Sequence, residues 1–144
     1  MPTLTRAFID TNILVYSITS SESAKQDQAL TLLRELFQSG RGVISTQVLN
    51  EFCNVAYKKH GLNRSEIHEQ LALYEAFDVV TVTPAIVLQA VDLRFTRSIS
   101  YYDALIVASA ITAGCTTVYS EDMNNGERID QIQLINPFTS LPGA

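Results

Sequence analysis

Asp10, Glu51, Asp103 and Asp122 each interrupt or end a strongly apolar segment, in AFIDTN, STQVLNEF, SYYDALIVASA and VYSEDMNNG. Acids at the points where a chain changes secondary structure are candidates for one shared site, which only folding can assemble. A cluster of carboxylates repels itself and needs cations to hold it. Oxygen donors without sulfur or imidazole suit a hard cation, so Mg²⁺ or Mn²⁺ is expected and zinc is not. A water acidified by such an ion, beside a phosphate whose charge the ion shields, is poised for in-line hydrolysis of a phosphodiester.

Each acid also has a structural reading. Asp10 directly follows Phe8-Ile9 and is a good N-cap for a helix opening at Thr11 or Asn12. Glu51 is the single charge in ISTQVLNEFCNVAY and could sit on a solvated helix edge. Ser100-x-x-Asp103 has capping-box form, yet a capping acid needs no other acids nearby, and Asp103 is the only charge between Ser98 and Ser120. Ser120-Glu121-Asp122 could be a polar turn, with Asp122 the better candidate to line a crevice.

A metal-free route through a ribose 2′-hydroxyl would call on histidines. His60, beside Gly61 at a helix end, and His68, among polar neighbours within a helix, both read as structural. Arg94 and Arg97, one helical turn apart and leading toward Asp103, are either phosphate contacts or exposed cations rewarded by a helix dipole, and Lys58 and Lys59 read the same way. Tyr101 and Tyr102 could stack on a base, with at least one of them committed to the core.

At 144 residues, with 47% hydrophobic and 17% charged, the chain reads as one globular domain over residues 1–144. Its longest apolar run, ALIVASAI, is far short of the roughly 18 to 20 residues of a membrane span, and MPTLTRAFID lacks the pattern of a secretory leader. A cytoplasmic protein is expected. Cys53 and Cys115 stand far apart without C-x-x-C or histidine company, as small buried hydrophobes do. A net charge of −5 runs against nucleic-acid binding, but four of the acids are the site candidates themselves, and bound cations would invert their local field.

The elements that must position these acids alternate. Strand patterns occur at 6–10, 42–45, 78–82, 116–120 and 132–136. Helices are expected at 12–18, 24–39, 46–59, 64–76, 84–97 and 101–113, with Gly40, Gly61 and Gly114 as stops and Asn63-x-x-Glu66 and Thr83-Pro84 as starts. Such alternation gives an α/β fold with a mostly parallel sheet flanked by helices, and a binding crevice beyond the carboxyl ends of its strands.

FIDTNILVY, the STQVLNEF segment, SYYDALIVASAITAGC and VYSEDMNNG together resemble the PIN-domain family in order and separation, almost end to end. Within it the chain looks most like the small bacterial VapC-like ribonucleases, the toxins of toxin-antitoxin pairs. The resemblance implies a five-stranded sheet in the order 3-2-1-4-5. It carries over Asp10, Glu51, Asp103 and Asp122 as catalytic metal ligands, with Asn12 and Ser120 as supporting polar groups. It further implies an Mg²⁺- or Mn²⁺-dependent endoribonuclease leaving a 5′-phosphate and a 3′-hydroxyl, with tRNAs among the candidate substrates. The implied partners are a second copy, through apolar helical faces at 46–57 and 84–95, and an antitoxin whose tail fills the acidic crevice. Specificity is expected from the loop at 18–25 and the crevice rim.

Three other classes compete. An RNase H-like nuclease also gathers carboxylates, but its first three strands form a meander, whereas helical segments separate these. A haloacid-dehalogenase-type phosphatase needs an aspartate where Asn12 stands. A non-catalytic binding module, whose acids only cap helices, predicts weak metal affinity and an unchanged phenotype for Asp103→Asn.

Overall fold

The computed structural model describes residues 5–141. Strand β1 (Arg6–Ile9) is fully buried from Ala7 to Ile9, as expected of an apolar run at the centre of a parallel sheet. Along the chain follow α1 (Thr11–Ser17), α2 (Ser23–Ser39), β2 (Gly42–Ser45), α3 (Thr46–His60), α4 (Arg64–Tyr74) and β3 (Asp78–Val80). The second half comprises α5 (Pro84–Thr96), α6 (Tyr101–Thr112), β4 (Cys115–Tyr119), β5 (Arg128–Ile129) and β6 (Ile132–Ile135).

Local chemistry sets these boundaries. Asn63 and Glu66 form both arms of a capping box at α4, Thr83 caps α5 ahead of Pro84, and Gly40 and Gly61 close α2 and α3 in the left-handed region. Helix α6 is buried without interruption from Ala104 to Ala110 and packs against α5, β2, β4 and β6, which is why its sequence is apolar almost all round. Among the described residues no helix is long and apolar enough to cross a membrane.

The sheet order is β3-β2-β1-β4-β6-β5, and every pairing is parallel except that of β5 with β6. The five expected strands are present in the expected order, with β6 as the fifth, and the correction is a sixth. Strand β5 has two residues, too short to carry an alternating pattern, and exists through its register with β6, Arg128 opposite Gln133 and Ile129 opposite Ile132.

This topology determines where the acids go. The chain leaves β1 for β2 on one side and returns to β4 on the other, so the switch point lies between β1 and β4. Because β1, β2 and β4 are parallel, Asp10, the start of α3 and Ser120 share one sheet edge. Helix α6 runs back before β4, which brings Asp103 in its first turn to the same edge.

Candidate metal centre

Asp10 is the most enclosed of the four acids, only 6% exposed. Its two oxygens have separate tasks. Oδ1 caps α1 by accepting the Thr11 N–H at 2.7 Å, and Oδ2 accepts the Ser120 hydroxyl at 2.7 Å and, more weakly, the Asn12 amide at 3.4 Å. Ser120 can reach it because Ile9 and Tyr119 are register partners, so the residues that follow them leave adjacent strands side by side. Burial pushes the Asp10 carboxyl up to about 6 against the pull of these hydrogen bonds, and the charges of Glu51 and Asp122 add to the rise.

Asn12 ties this corner together. Its Nδ2 donates to Asp122 Oδ2 at 3.0 Å and approaches Ser120 Oγ at 3.3 Å, while its Oδ1 accepts the Glu121 N–H at 3.2 Å. Ser120 Oγ also accepts the Asp122 N–H at 3.1 Å. Asp122 is thus held by α1 and by its own loop, and its carboxylate points into the crevice it shares with Thr11 and Glu51.

Glu51, on the second turn of α3, is half-buried and anchored at both oxygens. Thr11 Oγ1 donates to Oε2 at 2.8 Å, and Gln47 Nε2 donates to Oε1 at 2.9 Å. Neither supporting residue was singled out from the sequence, although Gln47 stands four residues before Glu51, the spacing at which helical side chains meet.

Asp103 is linked to Asp122 and Glu51 by charge and makes no hydrogen bond to the other acids. Only one arm of its capping box forms, with the Asp103 N–H donating to Ser100 Oγ at 3.1 Å, so capping does not consume its carboxylate. It shares a small cavity with Asp122, Met123 and Glu127. Burial raises its pKa first, the Ser100 hydroxyl opposes that, and Asp122 and Glu51 raise it further.

No lysine or arginine among the described residues forms an ion pair with any of the four; the pairs present are Arg6–Asp78, Lys25–Glu121, Arg41–Glu35 and Arg97–Asp130. Nor, among the described residues, do three acidic, histidine or cysteine side chains close around one point. That open arrangement fits Mg²⁺, which retains several waters and takes only one or two carboxylates, better than a cation needing a full protein cage.

The remaining candidates separate. Arg97 is held by Asp130 at 3.0 Å, Arg94 is exposed, Tyr101 packs against the core, and Tyr102 is exposed. His68 is on α4, whereas His60 and Lys59 line the cavity that contains Glu51 and Asp122. In the first turn of α2, Lys25 Nζ donates to Glu121 Oε2 at 2.6 Å, and the Tyr16 hydroxyl on α1 donates to Glu121 Oε1 at 2.6 Å.

The PIN domain family model matches residues 7–130. Among solved structures, the fold is similar to a toxin-antitoxin complex from Klebsiella pneumoniae at TM-score 0.68 and 20% identity, over 91% of this chain and 97% of that one. It is similar to the VapBC2 complex of Rickettsia felis bound to a promoter DNA fragment at TM-score 0.64 and 20% identity, over 90% and 97%. It is also similar to the sarcin-ricin loop cleaving toxin VapC20 of Mycobacterium tuberculosis at TM-score 0.63 and 20% identity, over 81% and 89%. No curated protein matches the chain.

Proposed function

Since this chain belongs to the PIN-domain family, we propose that it is a divalent-metal-dependent endoribonuclease, a single nuclease domain acting as the toxin of a toxin-antitoxin pair. The observation that carries the proposal is the gathering of Asp10, Glu51, Asp103 and Asp122 toward one sheet edge, none of them in an ion pair among the described residues. A fold that tolerates such repulsion, and buries one of the charges, does so for a cation that binds there.

Asp10 and Asp103 would be the main ligands for Mg²⁺ or Mn²⁺, and Asp122 would hold a second ion or its waters. The bound cation supplies an acidified water and shields the charge of the phosphate. Glu51, anchored by Thr11 and Gln47, would ligate the ion directly or orient the attacking water. Asn12 and Ser120 keep Asp10 and Asp122 from swinging apart under mutual repulsion. The partners proposed are RNA, an antitoxin segment covering the acidic crevice, and a second copy of the chain meeting the exposed apolar stripe on α5.

The test is cleavage of a mixed pool of structured RNAs, tRNAs included, with Mg²⁺, Mn²⁺ or EDTA. Cutting is expected with either metal and not with EDTA, and Asp10→Asn and Asp103→Asn should each abolish it. Intact RNA in every condition, with folded protein free of a co-purified inhibitor, would favour a binding module acting through a protein partner.

A further inference from the structure

Along α3, Glu51, Val55 and Lys59 follow one another at the helical spacing of four and so form one stripe, with Asn54 beside Val55. On α1 and just beyond it, Thr11, Val15 and Thr19 do the same, with Asn12 and Tyr16 beside them. The two helices pack together, and the stripes enclose a groove of about 480 Å³.

The groove is graded from end to end. Glu51 and Asp122 stand at one end, Lys59 and His60 at the other, and Val15, Val55 and the Tyr16 ring form the walls between them. Eight residues of helix separate Glu51 from Lys59, about 12 Å along the axis. Lys59 forms no ion pair among the described residues. Tyr16 is a fixed wall, its ring edge-on to Phe138 at 5.0 Å, Lys25 over its face at 4.8 Å, and its hydroxyl on Glu121.

We propose that this groove seats the nucleotide adjoining the cut. The phosphate under attack lies at the acidic end once cations are bound, the next phosphate meets Lys59 and His60, and the base lies against Val15, Val55 and Tyr16 with Asn54 at its edge. The assignment rests on the nuclease reading and adds to it the residues that select where RNA is cut. An elongated cavity with one cation-loaded end and one basic end suits a chain of regularly spaced anions, and an apolar middle with one amide suits a base. The same apolar walls would also seat an antitoxin segment covering the crevice, whereas the basic end opposite the acids is the feature that a following phosphate calls for.

Lys58 provides a control matched in charge. It is exposed on the same turn of α3 but rotated about 100° from Lys59, and it does not line the groove. With whichever RNA the wild type cuts, Lys59→Ala should raise KM about tenfold with kcat nearly unchanged and flatten the salt dependence of kcat/KM by about 0.7 in a double-logarithmic plot. Lys58→Ala should leave both unchanged, and Asn54→Ala should redistribute cuts among sites differing in the flanking nucleotide, all three variants melting as the wild type does. Equal losses for Lys58→Ala and Lys59→Ala, or none for either, would overturn the assignment and leave the groove to a protein ligand. A wild type that cuts no RNA with either metal is a different failure, that of the nuclease reading, and removes this inference with it.

Discussion

Asp10 is buried as a carboxylate at an electrostatic cost, and that cost can be measured. An aspartate with a folded-state pKa of about 6, against an ordinary value of 3.8, binds its proton more tightly in the folded chain than in the unfolded one. Stability is therefore unpenalised below the ordinary value, falls as pH rises between 3.8 and about 6, and stays lower above. The full difference is about 3 kcal/mol at most, from roughly two pKa units. In EDTA at pH 8, Asp10→Asn should consequently resist urea better than the wild type, and the gap should close near pH 4. A variant no more stable at pH 8 would mean that Asp10 is ionised at no cost and its burial is not where the strain lies. The same substitution should abolish RNA cleavage, so stability and activity move in opposite directions, the signature of a residue kept for function.

The elements have one close approach that fixes the sheet to a helical corner. Gly42 opens β2, and a Cβ built there would meet the Phe77 ring at 2.4 and 2.7 Å, with Leu36 next at 3.4 Å. Phe77 is half-buried and stands edge-on to Phe37 at 6.3 Å, so making room for a Cβ shifts this ring pair at the end of α2. Gly42→Ala should cost about 1–3 kcal/mol, as overpacking does. Urea denaturation of Gly42→Ala beside Gly42→Ala/Phe77→Ala checks this, because removing the ring should make the added methyl harmless. A full penalty that persists in the double variant would place the cause in the backbone of β2 instead.

At the scale of the whole molecule, α5 presents an apolar stripe that a single chain does not cover. Phe95 is 85% and Leu88 68% exposed, with Val91 between them and Val87 beside Leu88, both partly exposed. Contiguous apolar surface of this kind marks an interaction face. If two copies meet there, wild-type protein should sediment as a dimer and Phe95→Glu as a monomer with an unchanged melting temperature, since a side chain this exposed contributes little to one chain's core. A wild type that is monomeric at micromolar concentration would assign the stripe to another partner. The overall charge of −5 is compatible with the proposed RNA substrate, because four of the fifteen acids stand at the proposed metal edge, where bound cations would reverse the local field.

Periodicity and capping chemistry are local, and so they determined most of the fold in advance: the helix starts at Asn63 and Thr83, the stops at Gly40 and Gly61, and the alternation of strand with helix that demands a parallel sheet. The four acids could be singled out as candidates too, because a charge inside an apolar segment has no cheap place to go. Strand β5 was not, since two residues carry no period and only pairing with β6 defines them. Nor was the support of the site. Thr11 reaches Glu51 across α1 and α3, Glu121 gathers Tyr16 from α1 and Lys25 from α2, and Lys59 and His60 turn from an ordinary helix end into the wall of a groove. These are contacts between residues distant in sequence, and no local pattern encodes them. Tertiary structure alone decides them, because the crossing of α1 with α3 and the register of β1 with β4 set which side chains meet.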